Sequence, residues 1–163
     1  MLQHEPIGLL RDKISRCDPV LMTVTALGQQ QYSGKVEKVY SRRFEGPGGY
    51  DVPRLSFIGS TSSWGNQGLV NGERALVFIS YSASTKRYYQ EHWQGHFSVV
   101  AIENQLFAIA NWHLLKSGGR SWGPDYLRDS AFLPDKEKPG RVAMPYALLE
   151  RHLLEELGDL KPC

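Results

Sequence analysis

The sequence predicts a mainly β domain of the α+β class: a small antiparallel β-barrel with an N-terminal and a C-terminal helix. Three observations predict it. Six or seven short segments rich in β-branched and aromatic residues follow one another through the middle of the chain. Turn signals such as Asn71-Gly72 separate them. Helical spacing of apolar residues occurs only near the two ends. Strands without intervening helices pair antiparallel, and this many of them fit a barrel better than a doubly wound sheet.

Two helices are predicted. The first covers about residues 6–17, and Pro19 ends its pattern. Its apolar residues recur at three- and four-residue steps and therefore share one face: Ile7, Leu10, Ile14 and Cys17. The second helix covers about residues 145–157, with Pro145 as its first residue and Gly158 as its stop.

Between the helices we expect a barrel over about residues 20–112. The predicted strands are 20–27, 32–44, 55–58, 74–81, 87–91, 96–102 and 105–112. Gly34 suggests a bend or a bulge, and Glu103-Asn104 reads as a tight hairpin turn. Residues 116–140 are rich in Gly, Pro, Ser and charge, which predicts one long loop of the kind that is often functional or mobile.

Composition indicates one globular domain over residues 1–163. Of these residues 41% are apolar, and 19 Lys and Arg against 17 Asp and Glu give a net charge of +2. No apolar run approaches the roughly 18 residues of a membrane helix, so we expect no membrane partner. The start of the chain does not resemble a secretory signal, and Cys17 and Cys163 are expected to be free thiols, which together favour the cytoplasm.

Three stretches carry a family resemblance. CDPVLMTVTALG (17–28) and GKVEKVYSRRFEG (34–46) resemble the opening strands of the OB-fold domains of netrin modules and tissue metalloproteinase inhibitors. NGERALVFI (71–79) resembles a later strand of those domains. The resemblance covers about residues 17–110 and implies an OB-like barrel. Those inhibitors chelate zinc with an N-terminal Cys and carry several disulfides, whereas this chain begins MLQHEP and has two Cys. Protease inhibition is therefore not implied.

The sequence offers little catalytic chemistry. His92 and His96 in EHWQGHF would share one face of a helix, but Trp93 stands where a metalloprotease has its Glu base. The flanks read as strand, where residues four apart stand about 13 Å apart, too far for one metal. The loop with Gly46, Gly48 and Gly49 lacks the Lys-Ser/Thr of a phosphate loop. We expect no catalytic set, no metal site and no cofactor, with His92 and His96 as weak metal candidates.

Aromatic and arginine side chains in the predicted loops suggest binding. The candidate partner-binding residues are Trp64, Arg120, Trp122, Tyr126, Arg42 and Arg43. Trp, Tyr and Arg dominate protein–protein hot spots, although Trp rings can also plug barrel ends. The leading hypothesis is a non-catalytic protein-binding domain, such as an inhibitor or a toxin-neutralising immunity protein.

Two alternatives stay open. An OB-type binder of single-stranded nucleic acid would line one groove with Arg42, Arg43, Lys86 and Arg87 and stack bases on aromatic rings. Of the neighbours Tyr88 and Tyr89, one should face the core, because consecutive strand residues face opposite ways. The third reading is an enzyme that uses His92, His96 or Glu91.

Overall fold

The computed structural model describes residues 13–59, 69–91, 96–102, 104–111, 133–134 and 141–160. The chain divides into two compact units, Arg16–Ser98 and Met1–Ser15 with Val99–Cys163. The strands and helix of the described residues are β1 (Asp18–Gly28), β2 (Gln31–Val39), β3 (Leu55–Ile58), β4 (Arg74–Ser82), β5 (Arg87–Gln90), β6 (His96–Ile102), β7 (Gln105–Asn111), β8 (Leu133–Pro134), β9 (Arg141–Pro145) and α1 (Tyr146–Leu160).

The first unit holds a closed barrel of five strands. Its neighbours run in the order β1-β2-β3-β5-β4, and β4 pairs back with β1. The prediction of a small β-barrel is confirmed, with two corrections. The barrel strands end at Gln90 rather than near residue 112. The β3–β5 pair is parallel, while the other four pairs are antiparallel. An odd number of strands cannot alternate direction around a closed ring, so one parallel pair is required.

Alternate residues of the barrel strands fill its interior. Along β1 and β4, every second side chain points inward, as the period of a strand demands. The buried interior residues are Val20, Met22, Val24, Tyr32, Tyr50, Leu55, Phe57, Leu69, Ala75, Val77, Ile79 and Tyr88. Burying a large apolar side chain contributes about 1.5–3 kcal/mol, so this cluster stabilises the closed ring. Tyr88 is buried and Tyr89 is half-buried, as predicted for these neighbours.

A register shift and a close approach shape the β1–β2 pair. Leu21 pairs with Lys38, whereas the next residue, Met22, pairs with Val36. Glu37 is therefore the extra residue of a β-bulge. A bend or a bulge was predicted at Gly34, and the bulge does not lie there, because the pairing from Met22 to Ala26 is regular. Gly34 instead leaves room for Met22, whose sulfur lies 2.2 Å from the point where a Cβ on Gly34 would stand.

The second unit contains β7, β8, β9 and α1 together with the end of β6, because the boundary between the units falls between Ser98 and Val99. The strand order in this part of the sheet is β6-β7-β9-β8. The predicted strand pair 96–102 and 105–112 is observed as β6 and β7. The predicted loop 116–140 contains β8, which pairs with β9; its other residues lie outside the described part of the chain.

The C-terminal helix is confirmed, with different ends. Pro145 is the last residue of β9, where it pairs with Phe107, because the fixed φ of proline also suits a strand end. Gly158 does not stop α1, which continues to Leu160. Its φ is not positive, so it does not form a left-handed cap. The inner stripe is as predicted and buried: Tyr146, Leu149, Leu153 and Leu157.

Most of the predicted N-terminal helix, residues 6–12, lies outside the described residues. Lys13 and Ile14 are helical, and Ile14 and Cys17 are buried. Within the described ranges, no helix has the length and apolarity required to cross a bilayer.

Candidate functional site

A groove opens where β3 and β5 diverge. These parallel strands pair only at Phe57 with Tyr88 and at Ile58 with Tyr89. Ser56 and Arg87, one step earlier on each strand, are not paired with each other. Both line a cavity of about 410 Å³, which we call the β3–β5 groove. This volume lies within the range of small-ligand sites.

Four segments of the first unit build the groove. They are the β1–β2 hairpin, the loop between β2 and β3, β3 itself and the β4–β5 hairpin. The lining residues are Leu27, Gln31, Tyr32, Pro47, Ser56, Phe57, Ile58, Tyr81, Lys86, Arg87 and Tyr88.

Aromatic rings form much of the groove wall. Tyr32 and Phe57 stack with their ring centres 5.6 Å apart. Tyr81 meets Tyr88 edge-on at 5.1 Å. Tyr32, Phe57 and Tyr88 are buried and belong to the barrel interior, whereas Tyr81 is half-buried. Rings held by such packing form a firm surface for a planar or apolar ligand group.

The charge in the groove is positive. Lys86 ends a four-residue turn with a positive φ of 59°, and its backbone N–H donates to the Ser82 carbonyl at 2.7 Å. Lys86 and Arg87 are both exposed. Neither side chain forms an ion pair with another described residue. Among the described residues that line the groove, none carries a carboxylate.

Two arginines outside the groove are paired with carboxylates. Arg16 pairs with Glu91, and Arg74 donates two hydrogen bonds to Glu37 at 3.0 and 2.8 Å. Such surface pairs contribute about 0–1 kcal/mol to stability. Their effect here is electrostatic, since they cancel charge outside the groove and leave Lys86 and Arg87 as its cations.

The β2–β3 loop, residues 40–54, supplies one wall. Pro47 lines the groove, and the Gly46 N–H donates to the Tyr88 hydroxyl at 2.7 Å. A Cβ on Gly46 would stand 2.3 Å from the Tyr81 ring. The loop and the two tyrosines therefore touch closely at this wall.

A buried carboxylate holds the same loop at its other side. Asp18 is 0% exposed. Its Oδ1 accepts from the Ser41 hydroxyl at 2.5 Å and the Arg43 N–H at 2.9 Å. Its Oδ2 accepts from the Phe44 N–H at 2.8 Å and the Tyr50 hydroxyl at 2.5 Å. A buried charge is tolerated when it is hydrogen-bonded in this way. We call these five residues the Asp18 network.

Tyr50 is the buried end of the Asp18 network. It is 0% exposed, and its ring centre lies 5.4 Å from that of Tyr88. Burial, together with the hydrogen bond to Asp18, raises the pKa of Tyr50 far above its ordinary value. The hydroxyl is therefore a permanent donor to Asp18.

The predicted partner-binding residues have mixed outcomes. Trp64, Arg120, Trp122 and Tyr126 lie outside the described residues. Of the four basic residues expected to share one groove, Lys86 and Arg87 line the β3–β5 groove, and Arg42 and Arg43 are not among its lining residues.

The side chains of Arg42 and Arg43 have other contacts. Arg42 pairs with Glu45 at 2.7 Å and with Asp51 at 2.8 Å, and the pair with Asp51 raises the pKa of its guanidinium. The Arg43 guanidinium lies 5.4 Å from the centre of the Phe44 ring.

The two histidine candidates have different outcomes. His92 lies outside the described residues, and the Nδ1 of His96 lies 3.1 Å from the Gln90 side-chain nitrogen. Among the residues that the structure describes, no group of three or more His, Cys, Asp or Glu side chains could hold a metal ion.

No protein-family model matches the chain, and searches of curated proteins and of solved structures found no significant match. The function must therefore be argued from the groove. Sequence reasoning missed Gln31, Ser56 and Tyr81 as groove residues. The alternation of residues along a strand predicts which face of that strand a side chain lies on. It does not predict which other strand lies beside it, here β5 beside β3.

Proposed function

We propose that this chain is a binding domain of OB type that takes single-stranded nucleic acid in the β3–β5 groove. The strand order β1-β2-β3-β5-β4-β1 is typical of the OB-fold, a five-stranded Greek-key barrel. OB barrels bind extended ligands on the face of their second and third strands and in the β1–β2 and β4–β5 loops. Most residues that line the β3–β5 groove come from those segments, which supports the proposal.

One observation carries the choice of ligand. The groove combines aromatic rings with two cations that no described carboxylate neutralises, Lys86 and Arg87. Single-stranded nucleic acid offers bases that stack on rings and phosphates that pair with cations. A neutral oligosaccharide would use the rings alone.

The test is a fluorescence-anisotropy titration with a labelled, mixed-sequence DNA strand of about 12 nucleotides, within the usual site size of an OB barrel. We expect binding that weakens between about 50 and about 200 mM salt. Affinity falls as salt rises, and each lost phosphate contact reduces the steepness of log affinity against log salt by about 0.7. The double variant Lys86→Gln, Arg87→Gln should therefore bind more weakly, with a slope shallower by about 1.4.

Lys38→Gln is the matched control. It removes one positive charge, where the double variant removes two, and Lys38 lies seven residues along β2 from the groove residue Gln31, about 23 Å away. Its salt slope should equal that of the wild type. The proposal is wrong if the wild type fails to bind at about 50 mM salt, or if the double variant keeps the wild-type slope.

A second observation favours the protein-binding function. Leu27 is 57% exposed and Val70 is 60% exposed. Their chain neighbours are hydrogen-bonded, since the Ala26 N–H donates to the Asn71 side-chain oxygen at 2.9 Å. Exposed apolar side chains on segments that are hydrogen-bonded to each other suit a protein partner. In host extract, a photo-crosslinker at position 27 should then capture one defined protein that a crosslinker at position 38 does not. Equal capture at both positions would count against protein docking at these segments.

A further inference from the structure

The β2–β3 loop connects the start of β1 to the wall of the groove. On one side, Asp18 receives four hydrogen bonds, all from residues of this loop. On the other side, the Phe44 carbonyl accepts from the Tyr81 N–H at 3.1 Å, and Gly46 donates to the Tyr88 hydroxyl at 2.7 Å. Tyr81 and Tyr88 both line the groove.

Tyr50 joins the two sides within the core. Its hydroxyl donates to Asp18, and its ring packs on Tyr88. Its backbone N–H donates to the Glu45 carboxylate at 2.7 Å, which draws the two ends of the segment 45–50 together. Every step from Asp18 to the groove wall is thus a direct contact.

We propose that Asp18 and Tyr50, neither of which lines the groove, are positioning residues that hold the β2–β3 loop against Tyr88 and so set the shape of the ligand site. The ligand part of this inference rests on the proposed function. Asp18 is buried and does not line the groove, and its side chain reaches the groove wall through the loop and Tyr50, so it acts on the ligand through them.

Tyr50→Phe is the variant that tests this inference. It removes one hydroxyl and keeps the ring against Tyr88, so the fold should survive. Asp18→Asn is the stronger change, since it turns one acceptor of the network into a donor. Tyr89→Phe is the matched control, because Tyr89 is half-buried on the same strand as Tyr88 but does not line the groove.

The first measurement uses the full chain without ligand. Amide chemical shifts and hydrogen exchange should change in Tyr50→Phe at Gly46, within the loop, and at Arg87, within the groove. They should stay as in the wild type in Tyr89→Phe, apart from residues next to position 89. An unchanged Arg87 amide in Tyr50→Phe would overturn the inference, whatever the ligand proves to be.

The second measurement is the affinity for the labelled DNA strand. Changes along a coupling network of this kind alter affinity by about two- to thirtyfold. Tyr50→Phe should weaken binding within that range while keeping the wild-type salt slope, because Lys86 and Arg87 remain. Wild-type affinity in Tyr50→Phe would refute the positioning role. If the wild type binds no DNA, the proposed function fails, and the ligand-free spectra still decide whether Asp18 and Tyr50 shape the groove.

Discussion

Replacing Gly34 by alanine tests whether close packing or backbone freedom determines the residue at this position. The new Cβ would stand 2.2 Å from the sulfur, 3.1 Å from the Cγ and 3.3 Å from the Cβ of Met22. Met22 is fully buried in the barrel, so it cannot swing into solvent. The φ of Gly34 is not in the left-handed region, so alanine suits the backbone itself.

Two effects of opposite sign compete in this variant. Gly→Ala at a compatible backbone position stabilises a protein by about 0.4–1 kcal/mol, because the unfolded chain loses freedom. An extra methyl group in a packed core costs about 1–3 kcal/mol. We therefore expect a net loss of about 1–2 kcal/mol in the free energy of unfolding. For a chain of this length, Tm should fall by roughly 2–8 °C.

Urea unfolding followed by circular dichroism measures the change, with Gly28→Ala as the control. A Cβ on Gly28 would meet no atom within 4 Å, so that variant should be neutral or slightly stabilised. In a Met22→Ala background the penalty of Gly34→Ala should disappear, because the obstructing atoms are gone. A stabilising Gly34→Ala, or one with the same cost in both backgrounds, would refute the packing argument.

Three further predictions concern Tyr50, Gly46 and His152. Because burial raises the pKa of Tyr50 above its ordinary 10.0, the unfolded chain releases this proton first. The free energy of unfolding should fall above about pH 10, at up to about 1.4 kcal/mol per pH unit. In Tyr50→Phe it should fall less steeply, and urea unfolding that gives the same dependence on pH in both proteins would contradict this. Gly46→Ala should cost about 1–3 kcal/mol, since its Cβ would stand 2.3 Å from the Tyr81 ring; wild-type Tm would be the opposing result. Burial lowers the pKa of His152 below 6.5. The stabilisation by neutral His152 is therefore complete above pH 6.5, and the free energy of unfolding falls as pH falls below that value. His152→Gln should flatten the stability profile there, and an unchanged profile would count against it.

Local patterns predicted most of the strands. The bounds of β3 and β6 agree with the prediction, and those of β4, β5 and β7 agree to within one residue. Alternation and turn residues act over a few positions, so they can be recognised without the fold. The Asn71-Gly72 turn is an example, because Gly72 has a φ of 89°.

The candidate site was only partly predictable. Lys86 and Arg87 stood out as basic residues beside aromatic ones, and they line the groove. Arg42 stood out in the same way, but its charge is matched by Glu45 and by Asp51, nine residues further on. Charge pairing of this kind depends on where side chains meet in space, which spacing along the chain does not determine.

Asp18 shows the limit most clearly. In the sequence it is one acidic residue before a strand, with no mark of burial. It becomes a buried acceptor only because the β2–β3 loop brings Ser41 and Tyr50, 23 and 32 positions away, to the start of β1.

The sequence by itself determined a mainly β chain that ends in a helix, because the periods of strands and helices are local properties. Only the tertiary structure decided the parallel β3–β5 pair and the groove beside it. Closing a ring of five strands joins segments that lie far apart along the chain, and a local pattern carries no information about which distant edges meet.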